Sequence, residues 1–196
     1  MKLLWIDTET TGLKPYVHDI VSLAALVDID GTIVNQVEYR MCPHNIDEVQ
    51  AKALIVNGFT KEQILEFDDP KLCLQDLTME LDKGFTQEDP GKYILAGYNV
   101  GFDKDFLFYA FRNAGIKRFN YRYFHYKCFD VYTIAFMFMH AGLIPSMRDL
   151  KLATVCEAFS IPLRSHDAMN DIVATRALYY KLLACVKPQP KFKVEV

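Results

Sequence analysis

No apolar run in the chain reaches the roughly 18 residues that a membrane span requires, so a transmembrane protein is not expected. Export is not expected either. Met1-Lys2-Leu3-Leu4-Trp5-Ile6-Asp7 turns acidic too early for a signal peptide, which predicts a soluble, cytoplasmic protein. Glycine and proline are sparse, 9 and 8 among 196 residues, and this excludes a collagen-like or low-complexity chain. The 5 cysteines (Cys42, Cys73, Cys128, Cys156, Cys185) are odd in number, far apart and never spaced Cys-x-x-Cys. That argues against a disulfide framework or a thiolate zinc site and predicts reduced, mostly buried thiols. A basic excess is missing as well: the net charge is -3, which taken alone predicts no polyanionic partner.

What remains is a globular composition, 51% hydrophobic and 24% charged. Its length suits one domain, expected over residues 1–186. Residues 187–196, with two prolines and three lysines, read as a basic tail for docking or for mobility. The net charge also conceals an asymmetry. Residues 1–100 hold 8 Lys/Arg against 17 Asp/Glu (-9), whereas residues 101–196 hold 14 against 8 (+6).

The hydrophobic pattern predicts strands over 2–7, 20–29 and 32–40, with Asp30-Gly31 as the hairpin turn between the last two. Residues 8–16 read as a loop. Helical spacing follows over 47–56, 60–67 and 70–85, with Asp47, Thr60 and Asp69 as N-caps. A strand over 93–98 precedes a helix over 102–114; a strand over 126–129 precedes a helix over 131–141. Helices over 150–159 and 170–185 complete the set. An antiparallel meander followed by strand–helix–strand–helix implies an α/β domain with one mixed sheet and helices packed on it.

Three stretches carry chemistry. In Trp5-Ile6-Asp7-Thr8-Glu9-Thr10-Thr11-Gly12-Leu13, Asp7 and Glu9 stand two apart at a strand end and point the same way. Two carboxylates aimed at one point repel unless a cation or a shared proton relieves them, and oxygen-only ligands suit Mg²⁺ or Mn²⁺. Alone, the pair reads equally as solvated acids at a turn. In Asn99-Val100-Gly101-Phe102-Asp103-Lys104-Asp105-Phe106-Leu107, Asp103 falls in the first turn of a helix just after a strand. Open α/β sheets place their sites there, although helix-start carboxylates are common in any case. In His166-Asp167-Ala168-Met169-Asn170-Asp171, a loop histidine precedes an aspartate near the start of the last helix. Asp167 competes with Asp171, since either is placed to cap that helix.

Together these stretches resemble the histidine-using (DEDDh) form of the DnaQ-like 3′→5′ exonucleases of the DEDD superfamily. Asp7-Thr8-Glu9-Thr10-Thr11-Gly12-Leu13 matches the first family motif, and Asn99-x-x-Phe102-Asp103-x-x-Phe106-Leu107 the second. His166, Ala168 and Asp171 match the third, His-x-Ala-x-x-Asp. Residues 53–60 are similar to the family's loop before its third helix, and Asp130-Val131-Tyr132-Thr133 to its strand-to-helix junction. Ser22 and Asn57 depart from the residues common in relatives, Glu and His, and neither is in the catalytic set.

The resemblance implies a ribonuclease H-like fold: a mixed five-stranded sheet, antiparallel meander then parallel strands, flanked by helices. It implies that Asp7, Glu9, Asp103 and Asp171 bind two divalent ions, Mg²⁺ or Mn²⁺, with His166 as general base. It further implies that Thr10, Thr11, Gly12, Leu13, Asn99 and Phe102 contact the substrate, Leu13 as an apolar wedge against the terminal base. The expected reaction releases nucleoside 5′-monophosphates from nucleic-acid 3′ ends, with DNA favoured, single-stranded or frayed, and a polymerase or replisome as partner. The alternatives are an exoribonuclease on short RNA, toward which Trp5-Ile6-Asp7 leans, and a non-catalytic polymerase-associated scaffold. In this light the basic second half offers a strand-binding surface, with residues 117–127 interleaving bases and aromatics.

Overall fold

The computed structural model describes residues 1–86, 91–164 and 166–186, with Asn120 described in its backbone alone. The expected tail, 187–196, lies outside the described residues. Five strands form one sheet: β1 (Lys2–Thr10), β2 (Ile20–Ile29), β3 (Thr32–Arg40), β4 (Tyr93–Gly97) and β5 (Phe124–Asp130). Their spatial order is β3-β2-β1-β4-β5, antiparallel across β1/β2 and β2/β3, parallel across β1/β4 and β4/β5. The expected meander and parallel extension are both present. The β2–β3 turn works as the sequence implies: Asp30 and Gly31 both take positive φ, 52° and 86°, the combination a tight primed hairpin turn requires.

The remaining elements are α1 (Ala51–Asn57), α2 (Lys61–Leu65), α3 (Pro70–Asp82), α4 (Val100–Asn113), α5 (Phe119–Tyr123), α6 (Val131–His140), α7 (Leu152–Ala158) and α8 (Ala168–Ala184). Because β1 is central, it is buried on both faces, and alternation sends successive side chains to different layers. Leu4 and Ile6 join Leu74 and Leu77 of α3 and Phe106, Leu107 and Phe111 of α4. Leu3 and Trp5 join Val131 and Ala135 of α6, Val155 of α7, and Ile172, Leu178 and Leu182 of α8. A buried polar strut ties the second layer to the hairpin. Asp28 accepts from Trp5 Nε1 at 3.1 Å, Gly31 N at 2.8 Å and Arg176 Nε at 2.9 Å.

Several boundaries differ from the sequence expectation. β1 continues through Thr8–Thr10, read as loop, because Thr8 and Glu9 still pair with Leu23 and Ser22 of β2 before a bulge at Glu9/Thr10. The expected helix over 47–56 divides into a 3₁₀ turn, Ile46–Glu48, and α1, so Asp47 lies inside the turn and caps nothing. Residues 53–57, compared with a loop, belong to α1, which Gly58 closes in the left-handed conformation. Thr60 does cap α2, in a reciprocal box with Gln63, and Asp69 caps α3 through Lys71 N at 2.7 Å. α5 was unforeseen. Its Phe119 and Tyr123 pack among Phe85, Phe111 and Phe124, so tertiary packing fixes a helix too short to be stable by itself. No cysteine is paired, but Cys73 and Cys156 alone are fully buried; Cys42, Cys128 and Cys185 are half-exposed. Among the described residues no helix is long and apolar enough to cross a membrane.

Candidate active site

The alternation that builds the two layers also builds the site. Asp7 and Glu9 extend the Leu3–Trp5 face of β1, the face covered by α8, and Asp171 stands in the first turn of that helix. One carboxylate oxygen from each of Asp7, Glu9 and Asp171 lies within 4.8 Å of the others. Thr8 points to the opposite layer and is met there by Asp103, in the first turn of α4. Asp103 Oδ1 accepts from Thr8 N at 2.9 Å and from Thr8 Oγ1 at 2.8 Å. One strand segment, residues 7–9, therefore gathers carboxylates from both layers.

The competition between Asp167 and Asp171 is resolved by geometry. Asp167 is the N-cap of α8, its side chain accepting from Asn170 N at 3.0 Å, which leaves Asp171 free to join the cluster. His166 adopts a left-handed conformation, φ 69°, and donates its backbone N–H to Asp171 Oδ2 at 3.1 Å. Its side chain is exposed and lines a cavity of about 860 Å³ with Asp171, Asn99, Tyr98 and Tyr132.

The electrostatics are those of acids crowded out of water. Burial, then Asp103, Asp171 and Glu9, hold the Asp7 carboxyl well above the usual range. Burial first, then Asp171 and Asp103, push Glu9 up to about 7. Asp103 also rises to about 7, burial outweighing the two Thr8 hydrogen bonds that favour its charged form. Asp171 is raised by burial and partly relieved by His166. Among the described residues Asp171 Oδ1 is buried with no hydrogen-bond partner, a costly state for a carboxylate oxygen. A clustered, oxygen-only donor set with an orphaned oxygen fits a hard divalent cation.

Glu9 also lines a second cavity, of about 300 Å³, with Thr8, Thr10, Gly12, Leu13, Val56, Asn57 and Phe102 among others. Leu13 is 76% exposed at its rim. Gly12 has no room for a side chain, since a Cβ there would lie 2.4 Å from the His18 ring. Phe102 is half-buried and packs on Phe106, ring centroids 4.8 Å apart. Thr10 Oγ1 donates to Gly12 O at 2.7 Å and so shapes the loop as well as lining the cavity.

Two expected substrate contacts stand elsewhere. Thr11 is fully buried, its Oγ1 accepting from Asp19 N at 2.9 Å, so its side chain secures the loop from behind. Asn99 sits at the N-cap of α4 without a side-chain cap bond. It is in the left-handed region, φ 59°, with its N–H donated to Asp130 Oδ1 at 2.8 Å, and it lines the larger cavity beside His166. Sequence reasoning overlooked Thr8 as the partner of Asp103, and Asn57, which is buried and donates Nδ2 to Thr10 O at 2.9 Å. The signal for Thr8 was its place between two strand carboxylates, which commits it to the other face.

Residues 4–179 match the model of the RNase_T exonuclease family. The chain belongs to that family, a DnaQ-like exonuclease of the DEDD superfamily on a ribonuclease H-like fold. Among its relatives, the PolC-type DNA polymerase III of Bacillus cereus is 29% identical over 178 residues, and that of Latilactobacillus sakei is 30% identical over 177. Each alignment takes in 90% of this chain but 11% of the polymerase. Among solved structures, the zinc-bound complex of E. coli ExoI with single-stranded DNA and the Exonuclease I of Methylocaldum szegediense share the fold. Each has a TM-score of 0.75 at 19% identity, over 93% of this chain and 40% of theirs. The chain thus spans about a tenth of the polymerases and two-fifths of the Exonuclease I chains.

Proposed function

We propose that this chain is a metal-dependent 3′→5′ exonuclease that removes nucleoside 5′-monophosphates from nucleic-acid 3′ ends, with single-stranded or frayed DNA favoured. The reading rests above all on the convergence of Asp7, Glu9 and Asp171, with Asp103 locked to Thr8, between two cavities. Residues 1–186 would form the exonuclease domain. The PolC-type relatives favour DNA and a polymerase partner, and ExoI complexes with single-stranded DNA are among the structures that share the fold. Trp5, of the Trp5-Ile6-Asp7 stretch that leans toward the RNA alternative, is fully buried with its indole N–H on Asp28, a place in the core that bears on neither substrate.

In this mechanism Asp7, Glu9, Asp103 and Asp171 hold two divalent ions, Mg²⁺ or Mn²⁺. Bound there, the ions supply an activated water and offset the charge that builds on the phosphate. Glu9 faces the smaller cavity, which takes the terminal nucleoside, with Leu13 against its base and Phe102 beside it. His166 accepts the proton from the attacking water at the mouth of the larger cavity. The water oxygen bonds to phosphorus, the bond from phosphorus to the 3′-oxygen of the preceding nucleotide breaks, that oxygen takes a proton from solvent to become the new 3′-hydroxyl, and a 5′-monophosphate departs. Asn99, fixed through its N–H by Asp130, orients the strand at the same mouth.

The test is degradation of 3′-labelled and 5′-labelled single-stranded oligonucleotides of DNA and of RNA in Mg²⁺ or Mn²⁺, repeated with Asp7→Ala. The expected result is mononucleotide release from the 3′ end, faster on DNA and abolished by the substitution. Failure to release mononucleotide, or release that Asp7→Ala leaves intact, overturns the reading.

A further inference from the structure

Beyond Leu13 in the chain, outside the residues that line the smaller cavity, the surface carries a feature the mechanism does not use. The loop following Leu13 places Tyr16, 65% exposed, against Tyr109 of α4, with ring centroids 6.5 Å apart. Arg112, one helical turn on, lies over the Tyr109 ring with its guanidinium 4.9 Å from the centroid. In the last turn of α4 and just past its end, Arg112, Lys117 and Arg118 line an open cavity of about 530 Å³ together with Tyr109 and Tyr121, the latter 80% exposed. Among the described residues, none of these three cations pairs with a carboxylate. Nearby Arg122, by contrast, is held by Asp82 at 2.7 Å. Arg118 is kept in the left-handed region, φ 61°, a conformation that costs energy for a residue with a side chain.

We infer that this band, from Tyr16 and Tyr109 through Arg112 to Lys117, Arg118 and Tyr121, is the track for the single strand 5′ of the terminal nucleotide. The inference rests on the exonuclease reading for the position of the 3′ end, and it adds the path of the rest of the strand. Exposed aromatics beside unpaired cations are the combination that binds single strands without regard to sequence, rings stacking on bases and cations meeting phosphates. The dimensions agree. Asp103 and Arg112 are nine helical steps apart, about 13 Å at the usual rise, and a stacked strand covers that in about four nucleotides. The first contacts are then met by the nucleotides just past the Leu13 wedge, and the Arg112–Arg118 cavity by those about four or more from the end. Of the stretch 117–127 read earlier as a strand platform, Phe119, Tyr123 and Phe124 are buried in the core. Its outer residues alone are available, and they gain Tyr109 and Arg112 from α4.

The test compares a trinucleotide with a 20-nucleotide single strand of thymidine as substrates for wild-type protein and for Arg112→Ala/Lys117→Ala/Arg118→Ala. All three side chains are exposed, so the variant is expected to fold. For the 20-mer, KM rises about tenfold or more at moderate salt, and the slope of log KM against log salt shrinks by about 2. kcat on the 20-mer and kcat/KM on the trinucleotide stay within about twofold, because the three substituted cations meet the strand only about four nucleotides or more from its end. Tyr109→Ala weakens the 20-mer without changing the salt slope. Fluorescence anisotropy of the labelled 20-mer, in EDTA so that no turnover is needed, reads the same loss of binding independently of catalysis. An equal effect on both lengths, or an unchanged 20-mer affinity, overturns the track. If wild-type protein binds the 20-mer through these residues but releases no mononucleotide, the track stands and the exonuclease reading falls.

Discussion

Thr8 donates twice to one oxygen of Asp103, from its backbone N–H and from its hydroxyl, and so fastens α4 to the central strand across 95 positions of sequence. These bonds favour the charged carboxylate against a burial that drives its proton affinity up. Replacing Thr8 by Val removes the hydroxyl donor and keeps the strand. Hydrogen bonds to charged groups are worth about 1.5–3 kcal/mol, so Mn²⁺ affinity and kcat/KM are expected to fall about tenfold to a hundredfold. Calorimetric titration with Mn²⁺ and steady-state hydrolysis check both, and undiminished Mn²⁺ affinity would show that the hydroxyl does not serve the metal site.

The raised carboxylates set a pH dependence whose sign is definite. Glu9 and Asp103 hold their protons to about pH 7 in the folded chain, against ordinary values of 4.5 and 3.8. Their folded forms bind protons more tightly than their unfolded forms, so their contribution is fully present below about pH 4. It is lost as pH rises through about 7. In EDTA, these two groups are expected to lower the melting temperature between pH 5 and pH 8. Adding Mn²⁺ raises it, and by more at pH 8 than at pH 5. Glu9→Gln should raise the pH 8 melting temperature in EDTA and blunt the Mn²⁺ gain; thermal scans at the two pH values decide it.

Gly12 and Leu13 are adjacent but should separate two kinds of defect. A methyl at Gly12 would lie 2.4 Å from the buried His18 ring, so Gly12→Ala must move the loop that lines the smaller cavity. An increase in KM and a loss of about 1–3 kcal/mol in stability are expected, as for other overpacked sites. Leu13 is 76% exposed, and Leu13→Ala should leave stability within about 0.5 kcal/mol while lowering kcat/KM on oligonucleotides. Chemical denaturation alongside kinetics distinguishes the pair.

The Asp28–Arg176 strut is structural, and its loss should be felt throughout the second layer. Asp28 is 1% exposed and Arg176 is its sole cationic partner among the described residues. Arg176→Ala leaves a buried carboxylate without its counter-charge, and about 3 kcal/mol of destabilisation is expected in urea unfolding. Arg176→Ala/Asp28→Asn should recover part of that loss, since the uncompensated charge is gone.

Some of this was legible because it is local. Asp30-Gly31 declares its turn, Thr60 and Asp69 declare their caps, and the spacing of Asp7 and Glu9 places both on one face of a strand. Other features depend on who the neighbours are. Asp47 has the chemistry of a cap, but the chain around it tightens into a 3₁₀ turn, and residue type alone does not separate the two. Thr11 and Thr10 look alike in sequence; the pairing with Asp19 turns one inward, and Gly12 turns the other toward the cavity. Asp103 and Asp171 stand out as first-turn carboxylates and again through the family motifs, and the place of Thr8 between two strand carboxylates commits it to the other face, but that Asp103 meets it there is fixed only once α4 has docked.

The gathering of carboxylates from two layers onto residues 7–9 also bears on how the molecule assembles. Thr8 and Asp103 are 95 positions apart, and the strut that seats α8 joins residues 148 apart, so neither contact forms until long loops have closed. A partly folded chain with the β1–β3 meander in place would own Asp7 and Glu9 but have no third or fourth acid. Tight divalent binding is therefore a property of the completed fold alone. In a refolding experiment it should arrive with the last phase, as a signal that both helical layers have docked.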